Sequence, residues 1–451
     1  MRGLRSTIAL LIVLIGLSAY IYFVTWKQPE AGAEAERDRV FAALESDTID
    51  ELHVKAESGE TTTLKKESDV WQVSSPITAK ADPAETASIT SNLVSLAITR
   101  VVDENPSDLK EYGLDVPRTE IEFKASGDKT YGTAHRLLIG SKSATGELFA
   151  KREGENRVLL IPGYVDSIFN RSPFNLRDKA VLVFERDKVE RISVSTGSQT
   201  VELVKQGMEW NLTRPTAAAA DSVSVDGLIN RLNTLQMKSI VTDQATPADL
   251  KQYGFASPQS TVAVTAAGTT QTLFIGGKSG ETVYARDSSR PLVVTTESSV
   301  LTDLQKGADE YRRKELLAFR GYSGDRLEFS RDGQTIAFEK VVAEGQPEKW
   351  RRTSPSAGEP ETMNMESLLL KLEGIRATSF RSSTAGTGLD KPTLAVYARS
   401  DSGKKEERVA FARGASGGPD AFATVPGQPG AVVVPGKALD EMIAALDLVS
   451  K

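Results

Sequence analysis

Behind one long apolar run, hydrophobic and polar residues alternate with period two through three similar blocks. The alternating segments that open the blocks are IDELHVKA then TTTLKKE, VERISVST then TVELVKQ, and DRLEFSR then TIAFEK. Such alternation predicts strands buried on one face. A tryptophan follows in each block (WQVSSP, WNLTRP, WRRTSP), with a proline behind it. The pairs are Trp71 and Pro76, Trp210 and Pro215, and Trp350 and Pro355. Each tryptophan predicts a third short strand. Each proline predicts its end, because proline cannot donate to a ladder. ETASITSNLVSLA, VDGLINRLNTL and MNMESLLLKLEGI come next, and their three- and four-residue apolar spacing predicts helices. Ser222 or Asp226, and Asn364, are the candidate N-caps.

A glycine–proline element closes the first half of each block: DLKEYGLDVP, DLKQYGFASP and the shorter GTGLDKP. Its fixed points are Gly113 and Pro117, Gly254 and Pro258, and Gly388 and Pro392. DLKEY and DLKQY predict one helical turn. Gly113 and Gly254 suit the left-handed position past its end, and the proline blocks continuation. Strands resume in TEIEFKA, STVAVTA and TLAVYARS, and RLLIGSK, ELFAKRE and RVLLIP have counterparts in the later blocks. VDSIFNR, SVLTDLQ and ALDEMIAAL predict terminal helices. The tryptophans and glycines recur at about 140 residues, the size of a whole domain. The expected fold class is therefore α+β, with three tandem repeated domains of about seven short, mainly antiparallel strands and two helices. Repeat domain 1 spans 46–184, repeat domain 2 spans 185–319, and a divergent repeat domain 3 spans 320–451. Units this large fold alone, unlike the roughly 20–45-residue units of solenoids. The first two share a junction motif, in which Arg177, Lys179 and Phe184 correspond to Arg312, Lys314 and Phe319.

The apolar run adds a membrane to the picture. Thr7 to Trp26 holds no charged residue. A helix of about 20 residues rises about 30 Å, the thickness of a bilayer's hydrocarbon core. The expectation is a transmembrane helix over 7–26, with a cytoplasmic tail at 1–6 and a linker at 27–45. Arg2 and Arg5 favour a cytoplasmic N-terminus, and Tyr22 and Trp26 fall where an interfacial aromatic belt would lie. Gly16 is small enough to let a partner helix approach. The competing reading is a cleaved signal peptide, whose apolar region is normally about 7–15 residues. An anchored chain of this orientation lies at the inner membrane, single-pass, with its bulk periplasmic or extracytoplasmic.

Composition narrows the chemistry. Across 451 residues the net charge is −6, and 39% of residues are hydrophobic, a globular balance without the basic footprint of a nucleic-acid binder. The absence of cysteine excludes disulfides, thiolate metal sites and cysteine nucleophiles. The two histidines, His53 and His135, sit in strand-like segments without a second ligand nearby, so no metal site is expected. IGGKS at Ile275–Ser279 lacks the first glycine of a phosphate-binding loop and reads as a hairpin turn. Ser126 with Lys129, and Ser402 with Lys405, have serine–lysine spacing, but in polar turns that would keep the lysine protonated. Arg312, Arg313 and Lys314 could meet anionic lipid or a partner, or form a solvated hinge. The tryptophans could be ligand platforms or core plugs. No catalytic or cofactor-binding residue is assigned, and no cofactor is expected.

The arginine-flanked anchor, the DL-x2-YG elements at Asp108–Pro117 and Asp249–Pro258, and the junctions at Arg177 and Arg312 resemble the bacterial domain-of-unknown-function 4340 family. The resemblance covers nearly the whole chain. The third copy departs from it, with Thr387 before Gly388 and no junction behind it. The resemblance implies a membrane-anchored envelope protein without established catalysis, often associated with gliding-motility-type ABC transporters and their auxiliary subunits. The expected function is a non-enzymatic accessory or scaffold subunit of an ABC transporter complex. Its expected partners are the lipid bilayer, through one helix, and an integral-membrane protein, with no nucleic acid. A small-ligand or glycan-binding receptor and an uncharacterised hydrolase are the alternatives.

Overall fold

The computed structural model describes residues 38–42, 44–126, 134–341, 348–414 and 418–451. Their strands form three antiparallel sheets. The first is built from β1 (Ile49–Lys55), β2 (Thr61–Glu67), β3 (Val70–Ser75), β4 (Ala79–Lys80), β5 (Arg100–Asp103), β6 (Thr119–Ala125), β7 (His135–Lys142), β8 (Leu148–Arg152) and β9 (Val158–Ile161). Its spatial order is β4-β3-β2-β1-β6-β7-β8-β9-β5. The second repeats that order with β10 (Val189–Thr196), β11 (Gln199–Gln206), β12 (Glu209–Arg214), β13 (Ala218–Ala219), β14 (Met237–Thr242), β15 (Ser260–Ala266), β16 (Thr269–Ser279), β17 (Thr282–Asp287) and β18 (Val293–Glu297). The third lacks the short fourth strand and uses β19 (Gly324–Arg331), β20 (Gln334–Val341), β21 (Lys349–Ser354), β22 (Ser379–Arg381), β23 (Leu394–Ser400), β24 (Lys405–Arg413), β25 (Asp420–Thr424) and β26 (Ala431–Pro435). The chain divides into two compact units. One ends at Lys179 and holds the first sheet; the other runs from Ala180 to Lys451 and holds the second and third.

Two expectations are corrected. The α+β class overstated the helix: the described chain is mostly antiparallel sheet, and sheets of nine, nine and eight strands replace the expected seven. The short strands at the sheet edges, such as Ala79–Lys80 and Ser379–Arg381, are too brief to show a two-residue period. No helix among the described residues is long and apolar enough to cross a membrane. The span expected at 7–26, with Arg2, Arg5, Gly16, Tyr22 and Trp26, lies outside the described residues.

Period-two alternation builds the cores. Leu52, Val54, Leu64 and Val73 are buried on one face of the first sheet, while Glu51, His53 and Thr63 occupy the other. Burying each such aliphatic side chain stabilises the fold by about 1.5–3 kcal/mol. Helix α1 (Pro83–Ser95) lays Ile89 and Leu93 into this core. Helix α2 (Ser222–Asn233) buries Val225, Leu228, Ile229 and Leu232 in the second repeat. In the third, α3 (Thr362–Gly374) and α4 (Gly436–Val449) pack on each other and share a core with Phe329, Phe338 and Phe411.

The N-caps of α2 and α3 differ from the expected ones by one position or more. Asp82 caps α1 through bonds of 2.9 and 3.2 Å from the Ala84 and Glu85 amides. Asp221, rather than Ser222 or Asp226, caps α2, accepting from the Ser224 amide at 2.7 Å. Asn364 lies inside α3, whose N-terminus at Glu361 has no side-chain cap.

Candidate functional site

The repeated tryptophans occupy equivalent strand positions with unequal burial. Trp210 is 4% exposed on β12, whereas Trp71 on β3 and Trp350 on β21 are half-buried at the margins of their cores. Across the neighbouring strand each faces a lysine: Lys66 opposes Trp71, Lys205 opposes Trp210, and Lys340 opposes Trp350. The Lys205 and Lys340 ammonium groups stand 6.0 and 5.9 Å from their indole rings, a cation–π distance. The lysines mark the same register in every copy, a cross-strand signal that a linear search for motifs passes over. Pro76, Pro215 and Pro355 each follow directly on the strand that carries the tryptophan, and each peptide bond before them is cis.

The glycine–proline element and the IGSK or IGGK segment belong to one assembly. Gly113, Gly254 and Gly388 all have positive φ, at 66°, 85° and 76°. In the first two repeats the turn ends in the same paired bonds. The Gly113 and Gly254 amides donate to the Lys110 and Lys251 carbonyls, and those of Leu114 and Phe255 donate to Leu109 and Leu250. This closes the helix end by a left-handed glycine with a five-residue return bond. The turn then lies on a glycine of the next strand. A Cβ at Gly140 would sit 2.2 Å from the Tyr112 carbonyl oxygen, and one at Gly276 would sit 2.2 Å from that of Tyr253. The Gly277 amide donates to the Tyr253 carbonyl at 2.8 Å. IGGKS is therefore no hairpin turn. It is the bulged part of β16, where pairing with β17 shifts between Ile275 and Lys278. The bulge turns backbone toward the loop, and both side chains there are hydrogens. Tyr112 meets Phe149 edge-on at 5.2 Å between ring centres, and Tyr253 meets Tyr284 at a tilt at 4.6 Å. The third copy has buried Thr387 at the tyrosine position and holds it by a 2.6 Å bond to the Thr384 carbonyl. Pro117, Pro258 and Pro392 stand just ahead of β6, β15 and β23.

The first arginine of the basic junction is buried rather than solvated, while Arg313 and Lys314 beside it are half-buried. In the second unit, Arg312 is 6% exposed, and its guanidinium lies 3.8 Å from the centre of the Phe380 ring. Its Nε and Nη2 donate to Gln428 Oε1 at 3.1 and 3.0 Å, and Nη2 also reaches the Pro429 carbonyl. Gln428 Nε2 in turn donates to the carbonyls of Ala219 at 3.2 Å and Arg313 at 3.4 Å. Burial pulls the Arg312 pKa below the ordinary arginine value, and Asp309 opposes this. The junction backbone is bonded on both sides: the Arg313 amide donates to Ala219, and the Ala377 amide to Lys314. Tyr311 just before it is buried, and desolvation first, then Asp303 and Glu310, push its hydroxyl up to about 12. A loop glutamine of the third repeat therefore bolts the second repeat to it.

Residues with apparent chemical potential are spent on structure. His53 contacts Glu51 at 2.8 Å and Thr63 at 3.0 Å, and His135 lies beside the Phe123 ring. No cluster of metal-ligating side chains exists among the described residues. Lys405 is bonded to Asp401, which raises its pKa and opposes a role as base toward Ser402. Lys129 lies outside the described residues, and Ser126 donates to the Thr48 carbonyl.

The architecture defines a class: repeated antiparallel sheets packed against their own helices, the second and third of which are joined through the buried Arg312. The DUF4340 profile, a domain of unknown function, matches residues 71–209 and 210–392. The chain belongs to that family. No curated protein and no solved structure shows a significant match. The profile's copies start at Trp71 and Trp210, within β3 and β12. They therefore run out of phase with the sheets: the first ends at the start of β12, and the second between β22 and β23 of the third sheet.

Proposed function

We propose that this chain is a non-enzymatic accessory or scaffold subunit of the bacterial cell envelope. It resides at the inner membrane, its sheets are extracytoplasmic, and its partner is an integral-membrane component of an ABC transporter complex. The observation that carries the reading is how the ionisable groups are used. Burial pulls on Glu51, Glu120 and Asp303, yet hydrogen bonds and cationic neighbours outweigh it and hold all three below the ordinary range. Hydrogen bonds from Arg118, Thr213 and Arg231 lead in holding Glu57, Glu202 and Glu297 there. Such carboxylates stay charged in ion pairs and hydrogen bonds, whereas a general acid needs its pKa raised toward neutrality. The membrane setting is supported by the uncharged run from Thr7 to Trp26, and the transporter partner by the family resemblance.

Complementation of a deletion strain tests this. The full chain should restore function, while residues 40–451 exported as a free protein should not. Alkaline phosphatase fused after Lys451 should be active, because its disulfides need an oxidising compartment. Full rescue by the free protein would contradict the subunit reading, and an inactive but stable fusion would contradict the location.

A further inference from the structure

The outward faces of the three sheets pair their charges to different extents. On the first, cations and carboxylates pair off: Lys55 and Arg136 meet Glu120, and Lys65 and Lys124 meet Glu51. On the second, Arg191 meets Glu202 at 2.6 Å, while Arg286 on β17 has no ion pair among the described residues, its Nε sealed from solvent. On the third, a trough of about 870 Å³ runs over β19, β23, β24 and β25. Three arginines line it, Arg326, Arg399 and Arg408, against one carboxylate, Glu328. Arg326 consumes that carboxylate at 2.6 Å and Glu339 besides. Among the described residues, Arg399 and Arg408 have no ion pair. The Arg399 Nε is sealed from solvent without a hydrogen-bond acceptor.

The register compounds the imbalance. Arg326 and Arg399 are directly opposed on β19 and β23, and Tyr397 is opposed to Arg408 on β24. Like charges facing each other across strands destabilise a sheet unless an anion joins them. Arg408 places its guanidinium 5.2 Å from the Tyr397 ring centre, a contact that uses none of its N–H donors. Glu406, the cross-strand neighbour of Arg399, lies beside the Tyr397 hydroxyl, whose pKa is raised by desolvation first and by Glu406 next.

We infer that this trough binds a small anionic ligand through carboxylate or phosphate oxygens. Arg399 and Arg408 are its ligating groups, and the Tyr397 ring is its apolar floor. Two guanidinium forks on adjacent strands suit an oxyanion that accepts parallel N–H donors. The trough size suits a small molecule rather than a chain. This goes beyond the scaffold reading, because it gives the third repeat a ligand of its own.

Isothermal titration of the full chain in mild detergent tests it, with pyrophosphate and citrate as separate probes. At least one should bind with one site per chain. Binding of pyrophosphate alone assigns phosphate, of citrate alone assigns carboxylate, and of both assigns oxyanions in general. Arg399→Gln and Arg408→Gln should each weaken binding about ten-fold or more, while Arg191→Gln leaves it unchanged. The Arg408 side chain is exposed, so Arg408→Gln keeps the test intact if Arg399→Gln perturbs folding. The inference is overturned if neither probe binds at millimolar concentration. It is equally overturned if Arg408→Gln binds as the parent does, or if Arg191→Gln weakens binding as much.

Discussion

Single side chains in this protein are read by how deeply each is sunk. Trp210 is nearly sealed, so Trp210→Ala should cost about 3–5 kcal/mol of stability. Trp350 keeps part of its ring on a cavity of about 460 Å³, so Trp350→Ala should cost less, about 1–2 kcal/mol. Equal losses in denaturant titrations would refute the distinction. The spacing of the tryptophans was legible because strand position is linear. Their unequal burial was not, since it depends on which helix and loop arrive from elsewhere. Glu120 gives a pH test. Burial alone would raise its pKa, but hydrogen bonds from Lys55 and Arg136 bring it below the ordinary 4.5. A depressed carboxylate contributes its stabilisation fully above the unfolded pKa and loses it as pH falls through the folded one. Glu120→Gln should therefore be less stable than the parent at pH 7, and the gap should close below about pH 4.5. A gap that does not narrow at all as pH falls below about 4.5 would show that the ion pairs are not its source.

At the scale of elements, two motifs that look separate in the sequence prove to be halves of one contact. Gly254 and Gly276 were each legible as special positions, but their meeting was not, because it depends on a bulge within a strand. Gly276→Ala would drive a methyl against the Tyr253 carbonyl, a backbone atom that cannot swing away. The expected cost is about 1–3 kcal/mol, the usual cost of overpacking. Gly227→Ala, in the open space around α2, should be neutral or slightly stabilising by thermal melting. Equal effects would refute the interlock. Strands with clean alternation, such as β10 and β19, were readable directly. The two- and three-residue edge strands were not, because so few positions carry no period. The caps were missed for a related reason: acidic and hydroxyl residues crowd the start of α2, and only geometry selects Asp221.

For the molecule as a whole, the buried junction decides how the second and third repeats behave. Arg312 looked like a surface cation because its polar neighbours in sequence suggested water. Its real partners, Phe380 and Gln428, are distant in the chain. Gln428→Ala removes the acceptor and both bridging donors, leaving a buried guanidinium short of partners at about 1–3 kcal/mol. In calorimetry, that change should separate the melting of these two repeats, while the parent melts them together. The sheets and the family were thus largely legible from periodicity and repeated motifs. The trough of the third sheet was not, because its arginines come from three strands. The scaffold account is tested most directly by affinity purification of the full chain from native membranes in mild detergent, with the co-purifying proteins quantified by mass spectrometry. The account predicts an integral-membrane ABC transporter component in near-stoichiometric yield. Recovery of the chain alone, from membranes in which that transporter is intact, would contradict it.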